Sequence, residues 1–148
     1  MLIPEFTEIS NFSIRDKLEK SKTYLSIVLV IENESDPTET INSIYQFKNK
    51  IKNETEFIFI NNNKEIYRYD KLLTFFPDIR IFTPKKEIKL NEIIHLAVQE
   101  TSSKVIFFLN GDFIIKVVNL ETLDSFLKDK NFGILLPLIY DKNEKIVS

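Results

Sequence analysis

One stretch constrains this chain more than any other: Val105-Ile106-Phe107-Phe108-Leu109-Asn110-Gly111-Asp112. Five apolar residues in succession leave no polar face. The run therefore reads as a central strand of a sheet, covered on both sides. It stops at Asn110-Gly111-Asp112, where Gly111 permits a tight turn and Asp112 carries a carboxylate. Ligands of open α/β sheets sit at the carboxyl ends of such strands. A carboxylate held there is placed to meet a divalent cation or a ribose. An ordinary turn accounts for the same tripeptide, because Asn, Gly and Asp are all common turn formers.

The rest of the chain alternates strands and helices. Residues 1–22 read as a polar leader with a short helix over Ile14–Lys20. Tyr24–Ile31 is a β-branched, nearly continuous apolar strand that ends in Glu32-Asn33-Glu34-Ser35-Asp36. Asp36 suits an N-cap and Pro37 a first helical position, and the helix that follows aligns Ile41, Ile44, Tyr45 and Ile51 on one stripe. Glu56–Ile60 is a second strand and runs straight into Asn61-Asn62-Asn63. A helix from Lys64 to Phe76 stops before Pro77, as the conformational preference of pre-proline residues requires. Ile79–Phe82 makes a third strand. A helix over Glu87–Thr101 groups Leu90, Ile93, Ile94, Ala97 and Val98 on one face, with His95 off that stripe. Beyond Asp112 comes a helix with Leu120, Leu123, Phe126 and Leu127 inward. A fifth strand at Phe132–Pro137 and a C-terminal hairpin turn at Asp141–Glu144 complete the pattern. This is an α/β fold, a Rossmann-like three-layer α/β/α sandwich with a mostly parallel sheet.

Composition narrows the function. Charged residues are 28% of the chain and hydrophobic ones 43%, the balance of a folded domain. The net charge of −2 arises from 20 basic and 22 acidic residues scattered along the sequence, so no basic patch calls for nucleic acid. Absence of cysteine excludes disulfides, thiol nucleophiles and Cys-ligated zinc, and fits a cytoplasmic protein. No apolar run is long enough to cross a bilayer. With only two glycines, neither a GxxxxGK[ST] loop nor GxGxxG is present. P-loop, kinase and standard dinucleotide-binding readings are excluded, and a flavodoxin-like reading lacks its phosphate-binding loop.

Five segments in order carry a resemblance. Leu25–Glu34 is similar to the opening strand usually written SIVIPVYNE, and Glu56–Asn62 to a second strand that ends in paired aspartates. Leu90–Lys104 is similar to the helix written GLSAARNLGIELATGE, and Val105–Asp112 to the strand entering a DxD motif. Gly133–Tyr140 with Lys145–Val147 resembles the hairpin that follows. Together they resemble the nucleotide-sugar-binding half of family 2 glycosyltransferases, which have the GT-A fold, over Tyr24–Ser148. The resemblance implies a domain, residues 23–148, that binds a nucleoside diphosphate sugar (UDP-, GDP- or dTDP-linked) for inverting transfer to an acceptor hydroxyl. Glu32, Asn33, Asn62, Asn110 and Asp112 would line the donor cleft. Asp112 would hold Mg²⁺ or Mn²⁺ against the diphosphate.

Departures from the family pattern cluster at that site. Glu32 stands where an aromatic residue would stack on the base, and Asn61-Asn62 replace the paired aspartates. Lys89 replaces a loop glycine, and Ile94-His95 replace an Arg-Asn pair. Asn110-Gly111-Asp112 keeps one carboxylate of the DxD. Lys85, Lys86 and Lys89 are cations near the third loop, read either as diphosphate contacts or as solvated lysines. In the family the acceptor segment and catalytic base lie downstream of the hairpin, so no catalytic residue can be assigned here. The rival expectation is a pseudoenzyme, an interaction or assembly module whose exposed sheet edge is covered by a partner or a second copy.

Overall fold

A computed structural model describes residues 2–10, 23–32, 36–51, 54–63, 70–103, 105–110, 114–116 and 119–129 of the 148. The chain divides into two compact units, Met1–Val117 and Val118–Ser148. In the first, the described residues form strands β1 (Phe6–Ile9), β2 (Leu25–Ile31), β3 (Thr55–Asn61), β4 (Ile79–Pro84) and β5 (Ile106–Asn110). Helices α1 (Thr38–Lys48), α2 (Asp70–Phe75) and α3 (Leu90–Glu100) connect them. In the second unit α4 spans Leu120–Lys128, and its Asn119 cap accepts from the Thr122 N–H at 3.0 Å. Leu120 and Leu123 are half-buried there, while Phe126 is exposed. The expected strand at 132–137 and the C-terminal hairpin lie outside the described residues.

The sheet order is β1-β4-β3-β2-β5. β2, β3, β4 and β5 run parallel, and β1 joins antiparallel to β4. Every residue of β2 and β3 is buried, as a strand covered on both faces demands. On one face Val28, Val30, Ile58, Ile60 and Phe82 pack with Ile93, Leu96 and Ala97 of α3. On the other, Phe107 meets Phe47 of α1 edge-on, ring centroids 6.1 Å apart. Each fully buried side chain of this size stabilises the fold by about 1.5–3 kcal/mol relative to exposure.

Helix α1 starts one residue later than expected, with Pro37 in the cap position and Thr38 first in the helix. Asp36 Oδ1 accepts from the Thr38 backbone N–H at 2.9 Å and from the Thr38 hydroxyl at 2.5 Å, satisfying donors the first turn leaves orphaned. The core positions are Ile41, Ile44 and Phe47; Tyr45 is half-buried, and Ile51 lies past the last turn. Helix α2 ends just before Pro77 as expected, with residues 64–69 outside the described set.

Three expectations are corrected. Phe6–Ile9 lies within the stretch read as a leader, yet it is a sheet strand. Its alternating half-buried and exposed pattern puts Phe6 against Phe82, with centroids 4.9 Å apart. The Val105–Leu109 strand is not central in the sheet that the described residues form. Among the described residues β5 pairs only with β2, and Ile106, Phe107 and Phe108 are half-buried, leaving β2 and β3 as the middle. Finally, α3 is rotated from its expected setting. Ile93, Leu96 and Ala97 are buried, whereas Leu90, Ile94 and Val98 are 50%, 45% and 55% exposed.

A polar cluster at the amino ends of the strands accounts for that rotation. Arg80 and Glu56 are each 3% exposed. Glu56 accepts from Ser26 Oγ (2.8 Å), Arg80 Nη1 (2.7 Å), the Ser102 N–H (2.8 Å) and Ser102 Oγ (3.3 Å). Four bonds are the full acceptor capacity of a carboxylate. Arg80 also donates through Nε to Glu8 (3.0 Å), through Nη1 to the Glu100 carbonyl (2.8 Å) and through Nη2 to Glu100 Oε2 (3.4 Å). Its guanidinium lies 4.8 Å from the Phe82 ring centroid. Burial works against the Arg80 charge, but hydrogen bonds to Glu8 and Glu56 override it and hold its pKa above the ordinary value. Glu100 lies one turn beyond Leu96, so bonding it to Arg80 turns the Leu96 side of the helix inward and carries the Leu90–Ile94–Val98 stripe outward.

Candidate functional site

Parallel strands bring their carboxyl ends to one rim. There β2 ends at Ile31-Glu32, β3 at Asn61-Asn62, β4 at Pro84 and β5 at Asn110. Strand order runs β2, β3, β4 in one direction and places β5 on the other side of β2. This reversal is the switch point at which open α/β sheets form a crevice. Register puts Asn110 opposite Val30 and Asn61 opposite Ile31, so the ends flank β2 on either side. Asn33 and Asp112 lie outside the described residues, as does the side chain of Asn110.

Asn62 is the best-defined member of the group. It is 5% exposed. Its backbone N–H donates to the Ile31 carbonyl at 2.9 Å, joining the ends of β2 and β3. The side chain clasps Ile88, Nδ2 donating to the Ile88 carbonyl at 2.8 Å and Oδ1 accepting from the Ile88 N–H at 3.0 Å. A further Nδ2 bond reaches Glu32 Oε1 at 3.3 Å. Both amide hydrogens are therefore committed within the chain, and a base edge offering an acceptor would have to displace one of those bonds. The clasp also supplies a reason for an amide rather than a carboxylate at this position. A carboxylate could accept from the Ile88 N–H, but it would face the Ile88 carbonyl and Glu32 with no donor.

Truncating this side chain is expected to be costly. Asn62→Ala leaves the buried Ile88 N–H and carbonyl without partners, and a loss of about 1–3 kcal/mol is expected. Urea unfolding monitored by circular dichroism measures it; a change below about 0.5 kcal/mol would mean that water replaces the clasp without cost.

The neighbouring polar residues are less committed to the rim. Glu32 is exposed. Asn61 and Asn63 bond each other locally, at 3.3 and 3.5 Å. Lys85 pairs with Glu5 at 2.6 Å, and it holds the Glu5 carboxyl below its ordinary range. Lys86 is exposed, and so is Lys89, whose N–H is capped by Glu92 Oε2 at 2.9 Å. His95 is half-buried on α3. Among the described residues no three His, Asp or Glu side chains converge to hold a metal ion, and none of the helices described is long and apolar enough to cross a membrane. A separate open groove between α1 and α2, lined by Asp36, Glu39, Asn42, Tyr45, Phe75 and Phe76, contains none of the residues expected at the site.

Reading the sequence for strand-end residues misses the Arg80–Glu56 cluster. A single arginine in Ile79–Phe82 and a single glutamate in Glu56–Ile60, each amid apolar strand residues, are the signal that could have revealed it. The cluster occupies the rim opposite Glu32 and Asn62, so its task is to hold β1, β2, β3, β4 and α3 together. Comparison with known proteins adds no family: no family matches the chain, and no curated protein or solved structure does.

Proposed function

We propose that this chain is a GT-A-like domain, similar to the donor-binding half of family 2 glycosyltransferases, that binds a nucleoside diphosphate sugar at the carboxyl rim between β2 and β5. The observation that carries the reading is the strand order, which sets a switch point between the ends of β2 and β5. Glu32 and Asn62 stand at that rim, and β5 leads out of it toward Asp112. In this reading Asp112 supplies the carboxylate for Mg²⁺ or Mn²⁺, and the metal neutralises the diphosphate. Asn33 and Asn110 complete the cleft. Asn62 acts indirectly, by fixing Glu32 and the start of α3. Calorimetry with UDP-, GDP- and dTDP-linked sugars in Mn²⁺ tests the proposal. Binding by at least one donor is expected, and silence across the panel from folded protein would defeat it.

A second reading, a non-catalytic interaction module on the same fold, draws on different observations. Asn62 is consumed by Ile88 and Glu32, and α3 exposes Leu90, Ile94 and Val98 in a row. Light scattering on gel-filtered protein separates the readings, since an assembly module should not elute as a strict monomer.

A further inference from the structure

We infer that the groove between α1 and α2 binds a polyproline-II segment of a partner protein, one that carries an arginine or lysine three residues from an apolar side chain. The groove has a volume of about 770 Å³ and two chemically different ends. Asp36 and Glu39 put two carboxylates at one end. Asp36 accepts from Thr38 and keeps its charge, while Glu39 is exposed and its side chain makes no bond or ion pair among the described residues. Tyr45, Phe75 and Phe76 form the other end, where the Tyr45 and Phe76 rings lie 4.9 Å apart and Phe75 is 72% exposed. Between the two ends the Asn42 amide is exposed and likewise uncommitted among the described residues. Lys48, whose ammonium lies 5.7 Å from the Tyr45 ring centroid, is paired with Asp78 rather than with the groove carboxylates.

Charge and spacing together select the occupant. Two carboxylates call for a cation, and the aromatic end calls for an apolar side chain. Glu39 and Tyr45 both belong to α1, and at about 1.5 Å of rise per residue they stand roughly 9 Å apart along its axis. A polyproline-II chain rises about 3.1 Å per residue with about three residues per turn, so its positions i and i+3 share one face at roughly 9.3 Å. A β-strand sets i and i+3 on opposite faces, and its same-face positions i and i+2 are only about 6.7 Å apart. Polyproline II makes no internal hydrogen bonds, which leaves its carbonyls open to the Asn42 amide. Such a chain is already extended, so an aromatic groove captures it with little further loss of entropy.

Fluorescence polarisation of the full chain with a labelled Pro-Arg-Pro-Pro-Leu-Pro peptide, and with the same peptide in reverse order, tests the inference. At least one of the two is expected to bind with a Kd of roughly 10–300 μM. Glu39→Gln and Phe75→Ala should each weaken that binding at least about threefold. Both side chains are exposed, so the melting temperature should stay unchanged. Glutamate in place of the peptide arginine should abolish binding, and setting arginine and leucine side by side should weaken it at least about threefold. Failure of both peptides to bind folded protein overturns the inference, as does binding indifferent to the two substitutions or to the peptide spacing. Arginine amide binding as tightly as the peptide would reveal a small-cation site and overturn the polyproline assignment. None of these outcomes bears on nucleotide binding at the strand ends, which the calorimetric panel decides separately.

Discussion

Arg80→Met is expected to destabilise the protein by about 3–5 kcal/mol, the largest single effect foreseen for any polar residue. The magnitude follows from what remains behind. Glu56, with a side chain 1% exposed, would lose the Arg80 guanidinium and stay buried with only its hydroxyl and backbone donors among the described residues. Glu8 and Glu100 lose the same partner but are less enclosed, with side chains 13% and 17% exposed. For a chain of this size such a loss lowers the midpoint of thermal unfolding by roughly 10 °C or more. Arg80→Lys should recover little, because one ammonium cannot serve Glu8, Glu56 and the Glu100 carbonyl in a fixed fork. The double variant Arg80→Met, Glu56→Met should be more stable than Arg80→Met alone, since it removes the stranded charge. Guanidinium unfolding of the three variants decides the matter. A loss below about 1 kcal/mol for Arg80→Met would show that water reaches the cluster and that the network contributes little.

Phe82→Ala should cost a comparable about 3–5 kcal/mol, for a different reason. The ring is fully buried and packs among Val30, Ile58, Ile60 and Ile93 beneath α3. It also contacts Phe6 at 4.9 Å and carries Arg80 on its face at 4.8 Å. Removing it opens a cavity and takes away the apolar contact that holds β1 on the sheet. β1 has only four residues and one neighbour among the described residues, so its amides should lose most of their hydrogen-exchange protection while those of β2 and β3 keep theirs. Uniform retention of protection at Phe6–Ile9 would show that the ladder to β4, rather than the Phe6–Phe82 pair, secures that edge. Because Arg80 and Phe82 touch, the two losses should not add.

These expectations also show which parts of the fold could be read from residue order. The continuous apolar runs at 25–31 and 57–60 announce strands buried on both faces, and both strands are found within a residue or two of the reading. Pro77 and the Asp36–Pro37 pair bound their helices for local steric and hydrogen-bonding reasons. The alternation of these elements implies a parallel sheet, and four of the five strands are parallel. What failed was inference from a single element's pattern to its neighbours. Val105–Leu109 is as apolar as β2, yet β5 has one partner strand among the described residues. An unbroken apolar run reports two covered faces; it carries no information about which edges are paired. Phe6–Ile9 was missed because four residues with one inward charge look like a polar leader until Arg80 is known to receive Glu8.

At the candidate site the division is sharper. Residue order alone determined that polar residues close the apolar runs of β2, β3 and β5, and each of these strands ends within a residue of its apolar run. Only the tertiary structure shows what the Asn62 side chain bonds. Burial of Asn62 beside Ile88 gives its side chain two bonds to that backbone, because an enclosed amide must bond whatever partner it meets. The setting of α3 was likewise decided at a distance: six apolar residues permitted more than one inward face, and the desolvated Arg80 selected the one that brings Glu100 within reach. Hydrophobic periodicity is a property of neighbours along the chain, whereas satisfying a buried polar group requires partners from elements far apart in sequence.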